Sequence, residues 1–329
     1  MIADERRTRL EHWLTTQLKG SHFSLTPASE DASFRRYFRA TLEDGRSFVA
    51  MDAPPEKEDC RPFVRIARLL ADAGVHAPVV HAQDLGAGYL LLSDLGTRTY
   101  LAELSAATAG TLMADATDAL IRWQLASRPG ELPPYDEALL RREMNLFPEW
   151  YVARHRRKTL TASQAETLER LFALLVQSAL AQPAVYVHRD YMPRNLMLSE
   201  PNPGVLDFQD AVMGPITYDV VSLMRDAFLS WEEEQVLDWT VRYWERAKRA
   251  KLPVDPDFGE FWRAFEWMGL QRHLKVLGIF ARINYRDGKP KYLTDTPRFL
   301  AYARPVAQRY RELAPLNQLL DEIEAEVAK

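Results

Sequence analysis

The sequence predicts an α+β chain, with a small antiparallel-sheet lobe over residues 1–95 followed by a mostly helical lobe over residues 96–329. Three observations predict it. Alternation of apolar and polar residues, broken by turn residues, recurs through the first quarter of the chain. From Thr99 onward the apolar residues recur at helical spacing with little interruption. The length, 329 residues, suffices for two hydrophobic cores.

The elements follow in order. Residues 4–18 place Leu10, Trp13, Leu14 and Leu18 on one face of a helix. Phe34 to Ala40 alternates as a strand, Glu43-Asp44-Gly45 turns, and Ser47 to Met51 returns. A helix over about residues 62–73 follows, then strands at Val79–Gln83 and Tyr89–Leu92 joined by Asp84–Gly88. Ser93-Asp94-Leu95-Gly96 breaks the alternation and reads as the hinge between the lobes. Helices are expected at 99–104, 107–126, 137–154, 162–181, 217–229, 231–250, 257–286, 296–312 and 315–328. Asp136 and Ser163 read as N-caps, because a short side-chain oxygen there can take a free helical N–H. No repeat, low-complexity tract or Walker P-loop occurs.

Composition narrows the class. Hydrophobic residues make up 47% and charged residues 27%, ordinary globular values. The net charge of −4 gives no support for a nucleic-acid partner. The one cysteine, Cys60, excludes an internal disulfide and fits a reducing compartment. Met1–Arg7 reads as a charged helix start with no apolar signal core behind it, and the longest apolar runs, near Leu171–Ala181, are too short to span a bilayer. The expectation is a cytoplasmic protein with no membrane and no obligate protein partner.

Chemistry concentrates in residues 185–210. His188-Arg189-Asp190, with Asn195 five residues past the aspartate, matches the protein-kinase catalytic-loop pattern H-R-D-x-x-x-x-N at every fixed position. Asp207-Phe208 follows a short apolar strand, Gly204-Val205-Leu206. Phosphoryl transfer needs a carboxylate to take the acceptor hydroxyl's proton and oxygen ligands to hold Mg²⁺ on the nucleotide phosphates. Asp190 can be the first; Asn195 and Asp207 can be the second. His188 is read as ordering the loop. The returning strand resembles V-A-I-K with Asp52 where the lysine stands, and Asp52 is expected to face Arg65 or Arg68. The phosphate-directed cation is then Arg35 or Arg36, with Ala32 and Ser33 letting the backbone approach phosphate. Adenine is placed at Ser93 and Leu95.

These residues, with Leu-Leu-Ser-Asp-Leu-Gly at 91–96 and Gly-Pro-Ile-Thr-Tyr-Asp-Val at 214–220, resemble the aminoglycoside phosphotransferase family over about Ser29 to Tyr310. The resemblance implies a bilobal protein-kinase-like fold, ATP as co-substrate with Mg²⁺, and Asp219 as a buried brace of the catalytic loop. A narrower likeness rests on Asp31–Phe38, Met51–Glu56, Val187–Leu198, Gln271–Lys275 and Arg282–Lys289. These segments resemble the bacterial kinases that phosphorylate N-acetylmuramate and N-acetylglucosamine at the anomeric C1 hydroxyl in cell-wall recycling, which implies an α-1-phosphate product. Between Met268 and Tyr292 stand six basic residues and one acid, Asp287. Such a wall repels a polycationic aminoglycoside and suits an anionic amino sugar. Arg272 and Arg282 are the candidates for its carboxylate, and Tyr285 or Trp267 for packing on the sugar. Two alternatives stay open: a kinase of another small hydroxyl compound, such as an aminoglycoside or amino alcohol, and a non-catalytic nucleotide-binding module, suggested by Asp52 and the glycine-poor loop. Intact Asp190, Asn195 and Asp207 weigh against the second.

Overall fold

The computed structural model describes residues 4–29 and 34–325. The chain divides into two compact units, one running to Ala126 and including Arg194–Asp210, the other formed by Ser127–Pro193 and Ala211 onward.

The first unit opens with α1 (Glu5–Gln17), capped by Asp4, whose side chain accepts the Arg7 N–H. Five strands follow: β1 (Phe23–Ser29), β2 (Arg36–Leu42), β3 (Ser47–Asp52) and, after α2 (Arg61–Asp72), β4 (Val80–Asp84) and β5 (Tyr89–Ser93). All neighbouring pairs are antiparallel, in the order β1-β2-β3-β5-β4. Leu10 and Leu14 of α1 bury against Phe38, Ala40, Leu42, Ala50 and Leu91, the inward residues of three strands. Two expectations shift here. Phe34 is 62% exposed and the second strand starts at Arg36. The edge strand β1 had no place in the sequence reading, because Pro27 weakens its pattern; proline is tolerated at a sheet edge. Helices α3 (Tyr100–Glu103) and α4 (Ala109–Leu125) complete the segment.

The second unit continues with α5 (Glu137–Met144) and a π-helix, Phe147–His155. The single helix expected at 137–154 is therefore broken. Pro148 cannot donate within it, and Gly278 of a later helix lies so close to the Leu146 carbonyl that an added Cβ would meet it at 2.4 Å. Next comes α6 (Ala162–Ala181), capped by Thr161 and not by the expected Ser163: Thr161 and Gln164 exchange side-chain bonds to each other's backbone N–H groups. Strand β6 (Ala184–Val187) precedes β7 (Leu196–Met197) and β8 (Gly204–Val205), a short hairpin belonging to the first unit. Strand β9 (Val212–Pro215) pairs with β6. The rest is helical: α7 (Tyr218–Met224), α8 (Glu233–Arg249), α9 (Phe258–Asp287), α10 (Thr296–Arg309) and α11 (Pro315–Glu324). Helix α9 is the axis of this unit. Every residue from Phe265 to Gly278 is buried, the polar ones included. No helix among the described residues is long and apolar enough to cross a membrane.

Candidate active site

The catalytic segment begins where β6 ends. Pairing of β6 with β9 sets Val187 opposite Val212 and returns the chain to α7, whose first turn carries Asp219. Asp219 is fully buried, and its two oxygens accept the backbone N–H groups of His188 (2.6 Å) and Arg189 (3.0 Å). Burial pushes its pKa up to about 7, although both amides and Arg272 favour the charged form. These bonds hold Arg189 at φ 77°, a left-handed conformation that costs a non-glycine residue on the order of 1–3 kcal/mol. His188 Nδ1 accepts the Asp190 N–H at 3.2 Å. Three successive amides are thus fixed, and Asp190 is presented from a constrained loop.

The other half of the motif is built in the first unit. Asn195 closes a 3₁₀ turn, and the β7–β8 hairpin brings the chain back to it: the Leu206 N–H donates to the Asn195 carbonyl at 2.9 Å. Asn195 Nδ2 then donates to Asp207 Oδ2 at 3.4 Å. Gln209 Nε2 donates to the other Asp207 oxygen at 2.9 Å. Asp207 also adopts a left-handed backbone, φ 62°, and the next residue, Phe208, is buried with its ring 4.6 Å from Phe63 of α2. Gly204 leaves room in the hairpin for Leu95 and Ser199: a Cβ there would come 2.8 Å from Leu95 Cδ1 and from Ser199 Oγ, and those side chains would have to move.

A carboxylate on a fixed loop can orient a hydroxyl and take its proton. The Asn195 side-chain oxygen and the Asp207 carboxylate are hard oxygen donors of the kind that Mg²⁺ accepts alongside water and phosphate. Among the described residues no group of three or more His, Cys, Asp or Glu side chains forms a metal site by itself. A magnesium ion shared with a nucleotide does not need one.

The remaining sequence-derived residues are dispersed. Ser33 lies outside the described residues. Arg35 pairs with Glu58 at 2.8 Å. Arg36 is bound to Asp4 and, through Nε at 3.0 Å, to Asp52. The expectation that Asp52 faces Arg65 or Arg68 is overturned. Asp52 sits directly opposite Arg36 in the β2–β3 register and takes a second arginine, Arg6 of α1, at 3.0 Å through Nε; Arg65 and Arg68 are exposed. In the segment expected to be the hinge, the Ser93 N–H donates to the Val79 carbonyl, and its hydroxyl accepts the Val79 N–H at 3.2 Å. Asp94, between Ser93 and Leu95, is gripped by Arg39 at 2.6 and 3.0 Å and accepts the Gly96 N–H. That clamp had no signal in the sequence, since Arg39 belongs to a distant strand.

Arg272 and Arg282 share α9 but stand ten positions apart, which is about 15 Å along the axis. Arg272 is 2% exposed and donates to the Arg225 carbonyl at 3.4 Å. Arg282 is half-buried; burial and then neighbouring Arg286 lower its pKa. Tyr285 is exposed, its hydroxyl 3.2 Å from His155 Nδ1. The expected basic wall is therefore partly internal: Lys275 is buried against Glu143, and Arg286 is paired with Asp287.

Comparison with known proteins places this geometry. Residues 24–258 match the model of the phosphotransferase enzyme family. The chain is 56% identical over 332 aligned residues, 98% of each chain, to a protein of Pseudomonas putida named N-acetylmuramate/N-acetylglucosamine kinase. It is 59% identical to the protein of that name in Pseudomonas aeruginosa, covering 90% of this chain and 87% of the relative. The solved structure of the ADP-bound aminoglycoside phosphotransferase APH(2'')-Ib superposes with a TM-score of 0.61 at 15% identity, covering 91% and 98% of the two chains. The fold is accordingly the protein-kinase-like α+β fold of such enzymes, and the chain belongs to the phosphotransferase enzyme family.

Proposed function

We propose that this chain transfers the γ-phosphoryl group of ATP to the C1 hydroxyl of N-acetylmuramate and N-acetylglucosamine, in the cytoplasm, where ATP is made. The observation that carries the reading is identity above one half along nearly the whole length to kinases named for those two sugars.

Asp190, on the loop held by Asp219, orients the sugar hydroxyl and accepts its proton. Asn195 and Asp207 would hold Mg²⁺, which would supply positive charge against the charge that develops on the transferring phosphoryl group. Gln209 keeps one Asp207 oxygen occupied and so directs the other towards Asn195. Arg36, 38% exposed at the start of β2, supplies the phosphate-directed cation by exchanging Asp4 for phosphate. Because the transition state is loose, positioning and electrostatics carry much of the acceleration.

The test is phosphorylation of N-acetylmuramate, N-acetylglucosamine and kanamycin by the purified chain with Mg²⁺-ATP, with the product's phosphorus coupling to the anomeric proton read by NMR. Turnover on both sugars with phosphorus on C1 is expected. No turnover on either sugar, or transfer to kanamycin alone, would overturn the reading.

A further inference from the structure

Glu143, at the end of α5, is buried and surrounded by three donors: the Arg189 guanidinium, the Lys275 ammonium at 2.9 Å and the Tyr135 hydroxyl. Lys275, midway along α9, spends a second bond on the Tyr218 hydroxyl at 2.9 Å, and Tyr218 adjoins Asp219 in the chain. The Arg189 guanidinium stands 5.8 Å above the Tyr135 ring, which meets the Tyr218 ring edge-on at 5.3 Å. Arg189 is therefore held at both ends, its amide by Asp219 and its guanidinium by Glu143.

Setting a buried lysine and a largely buried arginine against one carboxylate is costly compared with apolar packing of the same volume. A cluster serving only the core gains nothing from Lys275 over methionine. We propose that Glu143 and Lys275 are positioning residues for phosphoryl transfer, clamping the Arg189 side chain so that Asp190, the next residue, presents its carboxylate in one direction. The proposal rests on Asp190 being the base. Burial opposes charge on both residues, but the partners prevail: Lys275 is held above its usual range, and Glu143 below its own. The clamp is ionic at neutral pH.

The test uses Lys275→Met and Glu143→Gln, singly and together, with kcat and KM for ATP and N-acetylglucosamine and with thermal unfolding. Lys275→Met is expected to lower kcat roughly 10–100-fold, as a misplaced catalytic group does, while both KM values stay within threefold. The double variant should be no slower than the slower single one, because both residues act through Arg189. A lower melting temperature with kcat within twofold of the parent, or additive losses, would overturn the proposal. If Lys275→Met does not fold, Tyr218→Phe removes one hydrogen bond and no charge; a roughly 3–10-fold loss in kcat at constant KM is expected, and unchanged kcat overturns it. Asp190→Asn, run alongside, separates the two readings. A fully active Asp190→Asn removes the base assignment, whereas an inactive Asp190→Asn beside a fully active Lys275→Met removes only the clamp.

Discussion

Asp219 and Asp52 are both aspartates with no solvent exposure, and they are held in opposite ways. Among the described residues Asp219 accepts two neutral backbone amides and no side-chain cation bonds to it, so desolvation outweighs its hydrogen bonds and its pKa climbs to about 7. Asp52 accepts two guanidinium groups, from Arg6 and Arg36, and its negative charge is matched by neighbouring cations. The first arrangement fixes backbone: it orders the amides leading to Asp190. The second fixes elements: it ties helix α1 to strands β2 and β3. The Asp52 carboxylate on β3 thus helps to hold the sheet lobe together.

Asp190→Asn tests the catalytic end of this contrast and should have the largest effect, lowering kcat by about 10²–10⁴-fold with ATP affinity and melting temperature retained. Single-turnover and ATP-titration measurements check it; near-normal turnover breaks the contrast at its root. Asp52→Ala tests the structural end. It leaves Arg6 and Arg36 facing each other at a buried position, and the expected loss is about 3 kcal/mol, the lower end for breaking a buried pair because both arginines are partly exposed. Urea unfolding gives the value. At a permissive temperature kcat should change only a few-fold, and a loss of activity without a loss of stability would show that Asp52 acts on the reaction.

The same two aspartates show how much the sequence disclosed. Asp190, Asn195 and Asp207 stand out as candidates because the residues that phosphoryl transfer needs sit in short phrases at fixed spacing, and Asp219 stands out through its family phrase. The partners of Asp52 do not. Arg6 is 46 residues away and reaches it from a different element, and Arg36 reaches it through a strand register that begins two residues later than the alternation implied. Glu143 and Lys275 were hidden for a related reason: a basic residue on a long helix reads as surface until the helix proves to be buried all round. The break after Met144 was hidden because Gly278, which lets the chain pass so close, lies 134 positions beyond it.

The pH dependence of stability tests the Asp219 end of the contrast by a smaller margin. Asp219 has a folded-state pKa of about 7, above the unfolded value near 4. Between these values the folded state binds more protons than the unfolded one, so this residue's contribution falls as pH rises from about 4 to about 7 and is constant outside that window. Replacement by asparagine removes the dependence. The stability of Asp219→Asn relative to the parent should therefore increase by on the order of 2 kcal/mol between pH 5 and pH 8, measured by urea unfolding at each pH. A flat difference would mean that Asp219 stays ionised throughout and that its amide bonds outweigh its burial.

The smallest effect separates the two arginines on Asp52. Each forms bonds of similar length to one of its oxygens, so a purely architectural role makes them equivalent. They differ in what else they touch. Arg6 Nη2 also donates to the Ala87 carbonyl at 2.9 Å, a bond inside the sheet lobe. Arg36 also donates to Asp4, an exchangeable partner at the surface, and it begins the strand that follows the segment expected to cover phosphate. Removing a charge-assisted hydrogen bond to phosphate costs about 1.5 kcal/mol or slightly more, so Arg36→Ala should raise the dissociation constant for Mg²⁺-ATP roughly tenfold. Arg6→Ala should leave it within twofold while lowering stability by a comparable amount. Equal changes in nucleotide affinity in the two variants would return Arg36 to the framework and require the phosphate-directed cation to come from elsewhere, with Arg35, bound to Glu58 one strand-end away, the next to be tested.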